Sequence, residues 1–486
     1  MNSPIHRARA ARTTPSPATS PTAPTSSPAP HRADGPSLSR RRLLQGSAVL
    51  AAGTTAAGAL SACGGTSAPA GATQIDYWLW DANQLPAYSA AIDLFMEKNP
   101  DVFVRVTQLG WHDYWTKLTA SFVAEAGPDA FADHLARYPE FLKLGVIAPL
   151  DGLGPLDDIP ATQFQDGLQE LWTGQDGKRY GMPKDYDTIA VMYDRTMLEK
   201  EGLTPEDLED LDWNPEDGGS FEKMLARLTL DANGVRGDED GFDPKNVARY
   251  GMAAPGIDYT GQTSWSPFAY STGWTFTDAD TWGTHFNYDD ERFAATMDWY
   301  FGLVDKGLFP PFGVFGDSSP TQTQVQTGKA ALSLAGSWMI TTFNNMEGME
   351  LGIAPLPSGP VGTPMSMFNG LGDSISSQSD NKEEAARLIA FLASDDAQQV
   401  IGERAPFFPS TDVGTEAAIE AFAEEGLDVT PFTDRVANGE TGLYPLVENS
   451  AAIMQTMQAA FDQCWMRQLD GADFASYNDR VNALFE

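Results

Sequence analysis

The sequence predicts an α/β protein of more than one domain, and three observations predict it. From Gln74 onward, β-prone stretches alternate with stretches whose apolar side chains recur at helical spacing. Roughly 410 residues follow the amino-terminal extension, beyond the size at which single cores stop growing. The 12 Trp, 26 Phe and 14 Tyr supply the core such a chain needs, and aromatics also build sugar-binding surfaces.

Taken in order, "QIDYWLW" is apolar and β-prone, and "LPAYSAAIDLFMEKNP" is helically patterned until Asn99-Pro100 ends it. "DVFVRVTQLG" alternates valines up to Gly110, and "DYWTKLTASFVAEAG" reads as the next helix. A short strand at "DAFADH" and a helix at "YPEFLKLG" complete a doubly wound α/β pattern. In "GKRYGMPKDYDTIAVMYDRTMLEKEGL" a turn leads into an extended stretch and a helix stopped by Gly202. Residues 213–290 are loop-like and rich in Gly, Asp, Asn and Trp. A helix returns at "DERFAATMDWYFGLVDKG", "VQTGKAALSLAGSW" is partly extended, and "EEAARLIAFLASDDAQQVIG" is helically spaced. Residues 446–486 read as helical throughout, and no fixed-period repeat is present.

Residues 1–62 read as a disordered extension followed by a leader. The extension is dominated by Pro, Ala, Ser and Thr and cannot bury enough surface to offset ordering entropy. Arg40, Arg41 and Arg42 then head a weakly apolar run to Ala62, the order of a secretory signal. "SRRRLLQ" resembles the twin-arginine signal of proteins exported folded. "LSAC" resembles the bacterial lipobox, which implies that Cys63 becomes the first residue and carries lipid on its thiol. Residues 63–73 would then be anchor and tether, holding the protein at the outer face of the cytoplasmic membrane. Only Cys464 remains, so no intrachain disulfide is available.

The formal net charge is −36, and without residues 1–62 it is −42, from 24 basic and 66 acidic side chains. Such a surface disfavours nucleic acid. The sequence carries no phosphate-cradling loop, nucleophile elbow or Cys/His cluster. No cofactor and no metal is therefore expected, and no catalysis. The carboxylates of Asp231 to Asp243 lack the spacing and terminal Glu of an EF-hand loop.

Five segments occur in the order characteristic of one family: the lipobox, the 77–106 opening, "GKRYGMPKDYDTIAVMYDRTMLEKEGL", "VQTGKAALSLAGSW" and "FNGLGDSISSQSDNKEEAARLIAFLASDDAQQ". Together they resemble family-1 extracellular solute-binding proteins, the maltose-binding-like receptors of ABC sugar importers. The resemblance covers nearly all of the chain after residue 73. It implies a two-lobed periplasmic-binding-protein-like fold with hinge crossovers and a ligand cleft between the lobes. Residues 74–184 and 370–440 would form the first lobe, 185–363 and 441–486 the second, with a crossover at 364–369. It further implies a monomer that captures a mono- or oligosaccharide and delivers it to the transmembrane subunits of a permease. A secreted glycoside hydrolase is the competing class, and a receptor for a polyamine or glycerol phosphate is another.

A sugar offers a flat C–H face and a rim of hydroxyls, so its site needs aromatic platforms beside short polar groups. Trp78 and Trp80 alternate across Leu79, and Trp80 with Asp81 marks the end of the first strand. Trp111 follows the second strand, at the carboxyl end where open α/β sheets bind ligands; the adjacent His112 reads as a surface residue. Asp133 and Tyr138 follow the third strand, in a region that carries polar sugar contacts in the family. Asp185 and Asp187 face one way in an extended stretch at the implied hinge. They suit either sugar hydroxyls or, as a pair, glycosidase chemistry. Trp265 is the choice for the cleft among Trp265, Trp274 and Trp282, all in Gly/Ser/Thr-rich loops. The family's Gly-x-Trp implies that Trp338 forms the floor of the site. Asn369 and Gly370 fall at a crossover, where glycine lets backbone approach ligand. Tyr444 and the 402–409 segment are rim candidates.

Overall fold

The apolar, aromatic stretch around Tyr77 and Trp78 forms a strand because alternate side chains find a core on each face, and Tyr77 and Leu79 are essentially inaccessible. The computed structural model describes residues 68–315, 319–404 and 406–486. The leader expected over 1–62 and the lipidation expected at Cys63 lie outside the described residues. Among the described residues the strands are, in chain order, β1 (Thr73–Leu79), β2 (Val102–Gln108), β3 (Ala130–Asp133), β4 (Met182–Asp187), β5 (Ile189–Asp194), β6 (Leu230–Asp231), β7 (Val247–Met252), β8 (Ala330–Gly336), β9 (Leu351–Ala354), β10 (Ser366–Ile375), β11 (Phe408–Pro409) and β12 (Thr441–Leu443).

They form two sheets, each the centre of one lobe. The first runs β11, β4, β10, β3, β1, β2, with β12 paired to β10; the second runs β6, β7, β8, β5, β9. β1 pairs in parallel with both β2 and β3, which requires the crossover helices Leu85–Lys98 and Trp111–Val123. β10 enters antiparallel between β3 and β4, so the sheet is mixed.

Only Thr188 separates β4 in the first sheet from β5 in the second, and its hydroxyl donates to the Phe432 carbonyl at 2.9 Å. The chain returns to the first sheet at Ser366, whose Oγ accepts the Ile189 N–H at 2.7 Å. β12 lies alongside, with Thr441 opposite Ser366. Three passages between the sheets thus sit side by side and are hydrogen-bonded to one another, the arrangement of a hinge.

Two helical runs break where their side chains compete with the helix. The 382–402 run becomes Lys382–Leu392 and Asp395–Gly402, because Ser394 leaves helical geometry to cap the second. The 446–486 region, expected to be helical throughout, becomes Ser450–Trp465 and Phe474–Asn482. Arg467 is left-handed at φ 57° between them, and Asp470 closes a capping box. Asp231 accepts the backbone N–H groups of Asn233, Val235 and Asp243, so its carboxylate organises its own turn.

Candidate functional site

The carboxyl ends of the three parallel strands deliver an aromatic wall. Trp80 follows β1 and remains half-buried, whereas Trp78 is covered and lies under the Lys117 ammonium. Trp111 is the first residue of its helix and is 42% exposed. Its ring meets Trp80 edge-on at 5.3 Å, and Trp115, one turn along, packs on both. After β3, the His134 ring lies 5.5 Å from Trp111, 6.2 Å from Trp80 and 5.6 Å from Tyr444. Edge-to-face contacts of this kind hold indole faces in fixed orientations.

The second lobe supplies the facing surface. β8 ends at Gly336, and a single turn, Ser337–Met339, presents Trp338 half-buried. A Cβ on Gly336 would lie 1.8 Å from Trp338 Cζ3, so glycine is what allows the indole to lie back over the strand end. Trp338, Met339, Leu334, Ala335 and Pro255 line a cavity of about 710 Å³, which His112 closes from the first lobe. That volume lies within the usual range of roughly 300–1,000 Å³ for small-molecule sites. Asn83, just past Asp81, donates to Thr342 Oγ1 at 3.3 Å and joins the loop after β1 to the segment that follows Trp338.

Behind the wall lies a buried polar layer. Lys184 Nζ donates to Gln84 Oε1 at 2.7 Å over the Tyr88 ring. Asp185 accepts from Gln84 Nε2 at 2.9 Å and from the Leu371 N–H at 3.1 Å. Burial pushes the Asp185 carboxyl up to about 6 against the pull of Lys184, 3.8 Å away. Burial, reinforced by Asp185, also raises Asp187, which accepts from Ser337 Oγ, just past β8 of the second sheet, at 2.9 Å. Burial raises Asp81, whose Oδ1 caps the Asn83 N–H, and pushes Asp373, which accepts from Tyr77, up to about 6. Asp133 is pushed by burial to about 8, while His134 beside it is pushed by burial down to about 4.

The structure brings Trp80 and Trp111 together with His134, which Asn369 and Tyr444 back. Among the described residues, Asp81 and Trp338 are linked only through the Asn83–Thr342 bond beside them, and buried Asp187 is bonded to Ser337, next to Trp338. Other sequence candidates turn inward. Trp265 is fully buried, stacked on Phe461 at 5.1 Å among Trp274, Phe276 and Phe293, so it is a core residue and not a cleft residue. Its loop is closed by a helix nearly two hundred residues later in sequence. Tyr138 packs between Trp172 and Trp282 with no exposed surface. A Cβ on Gly370 would meet Leu168, so that glycine serves packing within the first lobe. Asp133 and Asp185 are buried and engaged by protein donors. His112 is exposed, as expected, and also borders the cavity.

Sequence reasoning passed over His134, Trp115 and Gln84. For His134 a signal existed, since it follows β3 directly at the strand end that the parallel-sheet rule marks for ligands.

The sequence model of the family described as bacterial extracellular solute-binding protein matches residues 90–422. The maltodextrin-binding protein MdxE of Bacillus subtilis is 25% identical over 417 residues, 82% of this chain and 87% of that one. The arabinooligosaccharide-binding protein of the same organism is 26% identical over 164 residues, 32% of this chain and 37% of that relative's length. Among solved structures, the GacH receptor of Streptomyces glaucescens superposes with a TM-score of 0.68 at 19% identity, covering 85% of this chain and 98% of that chain. That receptor's structures include a complex with acarbose.

Proposed function

This chain belongs to the bacterial extracellular solute-binding protein family, and from that premise we propose that it captures a carbohydrate between its lobes for delivery to an ABC permease. The observation that carries this reading is the Trp338 indole in a cavity of about 710 Å³ that His112, the residue after Trp111 of the aromatic wall, borders from the first lobe. An indole face matches the C–H face of a pyranose or furanose, and the two lobes offer one on each side. Relatives named for maltodextrin and arabinooligosaccharide binding support an oligosaccharide as cargo. Ligand bridging the lobes stabilises the closed arrangement about the hinge at Thr188 and Ser366, and differential affinity for that state makes closure a signal to a permease.

We further assign a lipid anchor at Cys63, a twin-arginine leader, a monomeric state, and two lobes of about 74–184 with 370–440 and 185–363 with 441–486, their bounds shifted by a few residues so that β4, β10 and β12 stay whole in the first. A glycoside hydrolase needs two carboxyl groups facing the scissile bond. Asp133 and Asp185 face protein donors, which favours binding without turnover.

Thermal unfolding of the full-length protein against maltotriose, arabinotriose, putrescine and glycerol phosphate tests the reading. A ligand at 100 times its Kd adds about 2.7 kcal/mol. A midpoint raised by a sugar that is recovered intact supports it; a rise with putrescine or glycerol phosphate alone overturns the carbohydrate assignment, and consumption of the sugar establishes the hydrolase.

A further inference from the structure

Asn369 sits in β10, opposite Asp187 of β4, at the return from the second sheet to the first. It is 2% exposed. One end of its amide lies 3.3 Å from His134 Nε2, and the other end has no hydrogen-bond partner among the described residues. A buried polar atom without a partner is costly and calls for an explanation.

The His134 ring supplies one. Its Nδ1 accepts the Ala136 N–H at 3.0 Å. A neutral imidazole has one donor and one acceptor, so Nε2 carries the proton. Burial and the nearby Arg137 guanidinium disfavour a second proton on the ring. Nε2–H therefore points at the Asn369 amide and must meet its oxygen, because two donors would repel. The two ends of an amide have the same shape, and partners decide which is which. The unpartnered end is then the NH2 group.

We propose that Asn369 is the fixed hydrogen-bond donor of the carbohydrate site and that His134 is the positioning residue that orients it. This assignment rests on the carbohydrate reading given above. His134 touches Trp111, Trp80 and Tyr444, so the donor stands at the edge of the aromatic wall. A sugar lying flat on an indole extends its hydroxyls sideways, toward that edge. The donor selects a ligand that brings an acceptor. A protonated polyamine brings only donors and is refused at this position.

The test has two arms, both on the full-length protein. Nitrogen-15 NMR of labelled imidazoles, with His134→Gln to identify the signal, reports the tautomer without ligand. Expected is an unprotonated Nδ1 and a protonated Nε2 whose resonance moves in Asn369→Leu. A protonated Nδ1 overturns the proposal. In the second arm, calorimetry with maltotriose and arabinotriose compares wild type with Asn369→Leu, with Asn369→Ser as the variant if the leucine form does not fold. The expected result is an affinity lowered at least tenfold in the folded protein. His134→Gln should weaken binding less than Asn369→Leu. Unchanged affinity in a folded Asn369 variant overturns this assignment alone. A wild type that binds neither sugar but responds to putrescine overturns the carbohydrate reading and this assignment together.

Discussion

Replacing Asp133 by Asn should stabilise the protein in alkaline solution and leave it nearly unchanged in acid. Asp133 has no exposed surface; one carboxyl oxygen accepts the His134 N–H at 2.8 Å and the other lies 3.4 Å from Ser374 Oγ. Ser374 in turn donates to the Tyr180 carbonyl at 2.9 Å. Burial moves the carboxyl from its ordinary 3.8 to about 8, with the His134 N–H, Ser374 and Arg137 pulling the other way. The folded state therefore holds its proton more tightly than the unfolded chain does. The associated stability is fully present below about pH 4 and is lost as pH rises through about 8, at up to about 1.4 kcal/mol per pH unit. The ceiling is about 6 kcal/mol, and admission of water on ionisation brings the expected loss to about 2–4 kcal/mol. An Asn side chain reproduces the protonated network: its oxygen accepts from His134, and its nitrogen donates to Ser374 Oγ, which keeps its bond to Tyr180. Urea unfolding at half-unit intervals from pH 4.5 to 9 should give two curves that meet within about 1 kcal/mol at the acid end and diverge by about 2–4 kcal/mol at the alkaline end. Parallel curves, or an Asn variant less stable at pH 9, would refute the reasoning.

Gly336→Ala places a methyl group where Trp338 now lies, so calorimetry with the sugar the protein binds should show at least a tenfold loss of affinity while circular dichroism is preserved; an unaltered Kd removes the indole from the site. Trp265→Ala empties a fully buried position stacked on Phe461 and should cost about 3–5 kcal/mol in urea unfolding, with sugar affinity kept in the folded fraction. Lys184→Met strips Asp185 of its only cation within 4 Å among the described residues and should cost about 3–5 kcal/mol at pH 8. The loss should shrink as pH falls toward 6, because without the pull of Lys184 burial raises the Asp185 carboxyl further and the variant takes up its proton at a higher pH than the wild type; a loss independent of pH would show that packing of the lysine stem is what matters.

Much of the fold was legible because it depends on short-range pattern. β1, β2, β3 and the helices between them follow from apolar alternation, helical spacing and punctuation at Pro100, Gly110 and Gly145. The family likeness extended that reading to two lobes. Trp80 and Trp111 were legible as strand-end neighbours because a parallel strand's carboxyl end is a position in sequence as well as in space. The breaks near Ser394 and Arg467 were not, since a capping hydroxyl and a left-handed turn contend with apolar spacing only where the helix has packing partners to orient it.

The sequence by itself determined the layered α/β architecture, the order of its elements and the stock of aromatic and carboxylate side chains near the strand ends. Tertiary structure alone decided their uses. Trp265 and Trp338 both stand beside small residues, yet Phe461 covers one and Gly336 lays the other along the cavity. Asp133 and His134 are neighbours in the chain, but β10 supplies Ser374 to the first and Asn369 to the second. Burial and hydrogen-bond partners set those roles, and Phe461, Ser374 and Asn369 each come from more than a hundred positions away, beyond the range of any local pattern.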